Sequence, residues 1–197
     1  MNLHPDYLLN SVEEPEDIRN MSLDQLKELA QEMRQLVLER DSAIGGHVGP
    51  NLGVMELTIA LHYVFDTPHD KIVWDVSHQT YGHKMLTGRK QAFLDPDHYR
   101  DVSGYSAPEE SPYDMFEIGH TSTSVALAVG MAEARDLINK HRERNIIAVI
   151  GDGSLSGGLA MEGLNNAAKV DGNLIIIVND NQMSIDKDQG GLYKGLK

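Results

Sequence analysis

The chain has 197 residues, 41% of them hydrophobic and 24% charged, a formal net charge of −13 and no cysteine, the composition of an ordinary globular protein long enough for one sizeable core. That acidity argues against a nucleic-acid-binding face and against attraction to anionic lipid, and the lack of cysteine excludes disulfides, thiolate catalysis and cysteine-bound zinc. No apolar run reaches membrane-spanning length, and the N-terminus lacks a basic region followed by an apolar stretch, so a cytoplasmic location is expected.

Residues 1–21 are polar, acidic and weakly periodic, and read as an arm packed on the surface or on a partner. Ser22, with Gln25 in capping-box position, starts a helix whose Leu23, Leu26, Leu29, Met33, Leu36 and Val37 form one apolar face. The glycine-dense stretch Gly45-Gly46-His47-Val48-Gly49-Pro50-Asn51 reads as a loop, and residues 52–65 as a buried helix. Residues 71–76 form a short strand around Ile72-Val73-Trp74. A turn and short helix follow over 77–87, then a long polar stretch over 91–114; a loop of that length is often functional. Residues 119–124 turn into a helix over 122–141, whose Ala126, Ala128, Gly130 and Ala132 permit close packing.

Two apolar runs, Ile146-Ile147-Ala148-Val149-Ile150 and Leu174-Ile175-Ile176-Ile177-Val178, read as buried strands. Each leads into a polar turn, Gly151-Asp152-Gly153 and Asn179-Asp180-Asn181, with a helix over 155–169 between. A right-handed crossover makes the strands parallel and puts both turns at the sheet edge where open α/β sheets bind ligands. Either motif alone is an ordinary turn; the pair, one helix apart, points to a metal-bridged diphosphate. Asp152 and Asn181 offer the hard oxygens that Mg²⁺ prefers. Glycines let an anion approach the backbone, and the helix start adds free N–H groups. Met183 is expected to contribute its main-chain carbonyl, since a thioether is too soft for Mg²⁺.

Of nine histidines, His4, His69, His98 and His141 read as solvated surface residues and His62 as a satisfied core residue. His47, His78 and His120 lie in turns or at a strand end, where catalytic groups concentrate. There is no HExxH pattern, which argues against a zinc hydrolase.

The segment GDGSLSGGLAMEGLNNAAKVDGNLIIIVNDN resembles the thiamine-diphosphate fingerprint of transketolase-like enzymes. GGHVGPNLGVMELTIALHYVFD, KIVWDVSHQTYGHKMLTGR, EIGHTSTSVALAVGMA and NDNQMSI resemble successive blocks of the 1-deoxy-D-xylulose-5-phosphate synthase family. The resemblance implies an open, mainly parallel α/β sheet flanked by helices, over residues 22–185, that binds thiamine diphosphate and Mg²⁺. It implies that His78 contacts the cofactor with Gly119, His120 and Thr121 lying against it. Gly153 and Ser154 meet the diphosphate, Asp152 and Asn181 take the metal-ligand positions, and His47 moves a proton, work that a neutral imidazole suits. Ser77 stands where the family usually has glycine, Gly82 where many members have proline, and Gly49-Pro50-Asn51 differs from the small-residue loop of some relatives.

The implied reaction joins pyruvate to glyceraldehyde 3-phosphate with loss of carbon dioxide, feeding isoprenoid and thiamine biosynthesis. It needs a pyrimidine-binding domain, in the same or a partner chain, and a homodimer. Residues 186–197 read as a mobile tail leading to further domains. Three readings follow: the N-terminal portion of the synthase, inactive alone; one subunit of a split transketolase; or a non-catalytic remnant that binds cofactor or partner. The Gly190-Gly191-Leu192-Tyr193-Lys194 ending favours the first.

Overall fold

A computed structural model describes residues 4–138 and 143–180; Asn181, Met183 and the expected tail lie outside the described residues. The chain forms two compact units, one of residues 4–68 and 77–117, the other of residues 69–76 and 118–180.

The first unit is helical. Helix α1 (Leu23–Ile44) starts at the expected capping box: Ser22 Oγ accepts the Gln25 N–H at 3.3 Å and Gln25 Oε1 accepts the Ser22 N–H at 2.9 Å. Leu29, Met33, Leu36 and Val37 are buried as the spacing requires, but Leu23 is 68% exposed and lies off the stripe. The helix expected over 52–65 starts three residues late. Residues of the expected glycine loop form α2 (Val48–Leu52), and α3 (Met55–Val64) starts only after Val54 leaves helical geometry at φ −121°, ψ 10°. Short helices α4 (Tyr81–Lys84) and α5 (Gln91–Leu94) complete the core around Met55, Tyr81, Met85, Phe93 and Leu94.

The N-terminal segment is no surface arm. Two 3₁₀ turns, Leu8–Ser11 and Pro15–Asn20, bury Leu9, Val12 and Ile18 completely. Buried polar groups hold it. Glu32 accepts the Leu8 and Leu9 N–H groups at 2.9 and 3.1 Å, and Lys90 donates to the Asn10 and Val12 carbonyls at 2.7 and 2.8 Å. These long-range bonds replace the periodicity that the sequence lacks there.

The second unit is an α/β layer. Strands β1 (Lys71–Trp74), β2 (Ile146–Gly151) and β3 (Leu174–Asn179) form a parallel sheet in the order β1-β2-β3, with Gly151 in register with Asn179. β2 is buried from Ile146 to Ile150, whereas β3 is half-buried and Val178 is exposed, so only the first of the two apolar runs is a fully buried strand. The reason is position: among the described residues β3 pairs on one side only. Helix α6 (Ser124–Ile138) packs on the sheet and on α8 (Gly158–Ala167), and the helix expected over 155–169 breaks after α7 (Asp152–Leu155). Among the described residues no helix is long and apolar enough to cross a membrane.

Of the small residues expected to permit close packing on α6, Ala128 and Ala132 are fully buried, whereas Gly130 is exposed. α8 packs against α6 at Gly163, where a Cβ would lie 2.9 Å from the Ala126 nitrogen and 3.0 Å from Val125 Cγ1. Gly163→Ala therefore forces the helices apart and is expected to cost about 1–3 kcal/mol. Gly130→Ala, with nothing within 4 Å of the added carbon, is expected to stabilise by up to about 1 kcal/mol. Urea unfolding of both variants checks this pair of opposite signs.

Candidate functional site

In the second unit the chemistry gathers where the parallel strands end. Asp75 follows β1 and is 1% exposed. Its Oδ2 accepts the Ser122 N–H at 2.9 Å, and its Oδ1 accepts those of Thr123 and Ser124 at 2.8 and 2.9 Å. One carboxylate thus anchors the first N–H of α6 and the two before it and holds the turn into the helix, with Ser122 at φ +69°, at the strand end. Ser122 Oγ in turn donates to the Ser154 carbonyl at 2.6 Å. The structure therefore brings the turn of Gly119, His120 and Thr121 next to that of Gly153 and Ser154. His120 and Thr121 are exposed, and the His120 ring bonds the Thr121 carbonyl at 2.8 Å.

Asp152 is 6% exposed, and its Oδ1 accepts the Gly153 N–H at 2.9 Å. The turn it starts is the four-residue α7, so the dipole of a long helix does not act at this point as expected. Among the described residues nothing lies within 4 Å of a Cβ built on Gly151. Of the three expected metal ligands only Asp152 falls among the described residues, and among these no three acidic or histidine side chains converge as a metal site.

In the first unit His47 and His78 meet, with ring centroids 5.6 Å apart in an edge-on arrangement. The sequence did not single out what joins them. Asn51, fully buried, donates to the His47 and His78 carbonyls at 2.7 and 2.9 Å and accepts the Tyr81 N–H at 2.8 Å. The Tyr81 hydroxyl accepts the His47 backbone N–H at 3.3 Å and lies 3.4 Å from His47 Nδ1. The Tyr105 ring packs edge-on at 5.0 Å from the His47 ring, and a Cβ on Gly104 would lie 3.4 Å from His47 Cε1. Asp41 closes the turn before His47: a Cβ on Gly46 would lie 2.3 Å from its Oδ1. Burial pushes the Asp41 carboxyl up against the pull of Arg40, its partner at 3.0 Å, and of His47.

The sequence departures have local accounts. Ser77 has φ +67°, a left-handed conformation that glycine adopts freely, and compensates by accepting the Ser106 N–H on its hydroxyl at 2.9 Å. A Cβ on Gly82 would lie 2.9 Å from Met55 Sδ, so a larger residue there requires the Met55 side chain to shift.

His62 is the satisfied core histidine expected, and it belongs to a chain of buried polar groups. Thr67 Oγ1, His62 and His83 are linked at 2.9 Å each, and His83 Nε2 lies 2.9 Å from Asp114 Oδ1. Burial, then the adjoining His83 ring and the Arg89 guanidinium, pushes His62 well below the usual imidazole range; burial also lowers His83, outweighing the pull of Asp114. Burial alone would raise Asp114, but hydrogen bonds from His83 and Arg89 hold it well below the usual carboxylate range. The coherent state is two neutral rings, a carboxylate and the Arg89 guanidinium.

A family model described as 1-deoxy-D-xylulose-5-phosphate synthase matches residues 9–197. The 1-deoxy-D-xylulose-5-phosphate synthase of Phocaeicola vulgatus is 52% identical over 191 residues, 96% of this chain and 30% of its own length. That of Bacteroides fragilis is 51% identical over 197 residues, 100% of this chain and 30% of its own. That of Brevibacillus brevis is 49% identical over 189 residues, 96% of this chain and 30% of its own. The chain spans about 30% of the length of these curated relatives.

Asn51→Asp keeps the acceptor for the Tyr81 N–H but strands two carbonyls opposite a carboxylate. It is expected to lower stability by on the order of 3 kcal/mol, measured by urea unfolding; an unchanged midpoint contradicts the bridging role. The neutral His62 and His83 rings set a pH dependence. Their folded pKa lies below the unfolded value of about 6.5, so the stability they contribute is present above that pH and is lost as the pH falls below it, by up to about 1.4 kcal/mol per ring per pH unit. The urea midpoint is expected to be lower at pH 5.5 than at pH 7.5, a window above the usual carboxylate range; an equal or higher midpoint at pH 5.5 overturns the assignment.

Proposed function

The chain belongs to the 1-deoxy-D-xylulose-5-phosphate synthase family, and from that premise we propose that it is the thiamine-diphosphate- and Mg²⁺-binding part of a transferase. The whole enzyme joins pyruvate to glyceraldehyde 3-phosphate, releases carbon dioxide and forms 1-deoxy-D-xylulose 5-phosphate. On this reading the chain works as a dimer in the cytoplasm, is inactive alone, and completes its site with a pyrimidine-binding domain supplied by the same or a partner chain.

The observation that carries the reading is the buried Asp152 in a glycine-flanked turn at the carboxyl end of β2, in parallel register with the strand that leads to Asn179 and Asp180. The donor chemistry fits the group. A carboxylate, an amide oxygen and a main-chain carbonyl are hard ligands that suit Mg²⁺ and leave room for phosphate oxygens. Among the described residues, the space over Gly151 admits an anion close to the backbone.

Asp152, the Asn181 side chain and the Met183 carbonyl are assigned to the metal, and Gly153, Ser154, Gly119, His120 and Thr121 to cofactor binding. His78 is assigned to cofactor contact and His47 to proton transfer. The Tyr81 hydroxyl accepts from the His47 backbone and so has its own proton to offer Nδ1. That arrangement favours the hydrogen on Nε2, leaving the outer nitrogen as the one that exchanges protons. When bound, thiamine diphosphate supplies the electron sink for the carbon–carbon chemistry.

Calorimetry tests the assignment. Thiamine diphosphate is expected to bind this chain weakly and only with Mg²⁺, and Asp152→Ala is expected to abolish binding with the circular dichroism spectrum unchanged. Equal affinity with and without Mg²⁺, or unchanged binding in Asp152→Ala, removes the metal assignment.

A further inference from the structure

Residues 99–118 contain no strand and no α-helix, yet this segment sets Gly104 and Tyr105 against His47. Irregular backbone has no repeating ladder of hydrogen bonds to define it, so its conformation is set by whatever anchors its individual N–H groups. Two of the anchors are carboxylates from the same segment. Glu110 Oε1 accepts the Ser103 N–H at 2.6 Å, and Asp114 Oδ2 accepts the Ala107 N–H at 2.8 Å. They bracket Gly104 and Tyr105.

The carboxylates are themselves fixed from α4 and the turn after it. Arg89 grips Asp114 through both terminal nitrogens at 2.8 and 2.9 Å and reaches Glu110 at 3.2 Å. Lys84, whose side chain is fully buried, is paired with Glu110 and lies 3.8 Å from Asp114. Two cations facing two carboxylates in a buried setting hold one geometry, because each charge left unpaired there is costly.

We infer that Glu110 and Asp114 are positioning residues for His47: by pinning residues 103–107 to the Lys84 and Arg89 cations, they seat Gly104 and Tyr105 against the imidazole. Neither carboxylate has a bond to His47; both act through the segment between them. The consequence for proton transfer rests on the role proposed for His47 above. The placement itself does not, and it is read without cofactor. A purely structural salt-bridge cluster would stabilise this unit and leave the His47 surroundings alone, and that difference is measurable.

The experiment uses the ¹³C,¹⁵N-labelled 197-residue chain and follows the cross-relaxation peak between the His47 and Tyr105 rings alongside thermal melting. Lys90→Met is the control, because Lys90 is a buried cation of the same unit that bonds the N-terminal segment instead. The peak is expected in the parent chain and in Lys90→Met, and is expected to be lost in Glu110→Gln and Asp114→Asn. Its persistence in Glu110→Gln and Asp114→Asn overturns the inference, as does its equal loss in Lys90→Met. If Asp114→Asn fails to fold, Glu110→Gln decides alone, since the Glu110 side chain is 19% exposed and tolerates the change. The role of Asp152 is decided separately by calorimetry, so failure of one result does not imply failure of the other.

Discussion

Strand β2 hydrogen-bonds on both flanks to strands that run in its own direction. A parallel neighbour can be reached only by carrying the chain back to the starting edge, so every strand exit falls at the same edge. That single restriction gathers Asp75, the turn after β2 and the end of β3 from distant parts of the sequence. Asp75 then uses the arrangement. Its carboxylate accepts three backbone N–H groups of residues 122–124, which fixes where α6 begins, and through Ser122 that placement extends to the Ser154 carbonyl. The chemistry proposed for this edge is an outcome of strand direction before it is an outcome of any side chain.

The helical unit solves a different problem. Its core holds Glu32, Arg40, Asp41, Lys84, Lys90 and Asp114, all nearly inaccessible to water. Burying charge is costly unless it is paired and hydrogen-bonded. Here the charges do work that secondary structure does elsewhere. Glu32 and Lys90 fasten an N-terminal segment without periodicity, and Asp114 fastens a segment without helix or strand. The two neutral imidazoles of His62 and His83 extend the same network inward from Asp114 to Thr67. Irregular chain is tolerable in this core because side chains satisfy the backbone groups that no ladder reaches.

Much of this was legible beforehand. The capping box at Ser22 and Gln25, the three strands, the crossover and the parallel sense all follow from short-range rules, and all are present. The Gly151-Asp152-Gly153 turn stands at the expected strand end. What proved illegible has identifiable causes. The helix expected over 52–65 starts only at Met55, and part of the glycine-dense stretch before it is helical, because hydrophobicity alone carries no record of a single residue leaving helical geometry. Residues 8–20 read as an arm packed on the surface or on a partner because their apolar side chains are spaced for 3₁₀ turns and held by carboxylate and ammonium groups far along the chain. Asn51 resembled a loop residue until its amide was seen to serve three backbone groups.

By itself, then, the amino-acid sequence determined the local elements, the strand direction and the residue types available for phosphate, metal and proton chemistry, since these depend on periodicity, caps and turn residues within a few positions of one another. Only the tertiary structure decided which of those residues meet. His47 reaches His78 through Asn51, residues 119–124 reach Ser154 through Asp75 and Ser122, and Glu110 and Asp114 reach the surroundings of His47 through the segment they brace. Each of these pairings spans tens of residues, and a hydrogen bond between distant positions leaves no periodic trace in a single chain. It exists because buried donors and acceptors must find partners, and the partner found depends on how the whole unit packs.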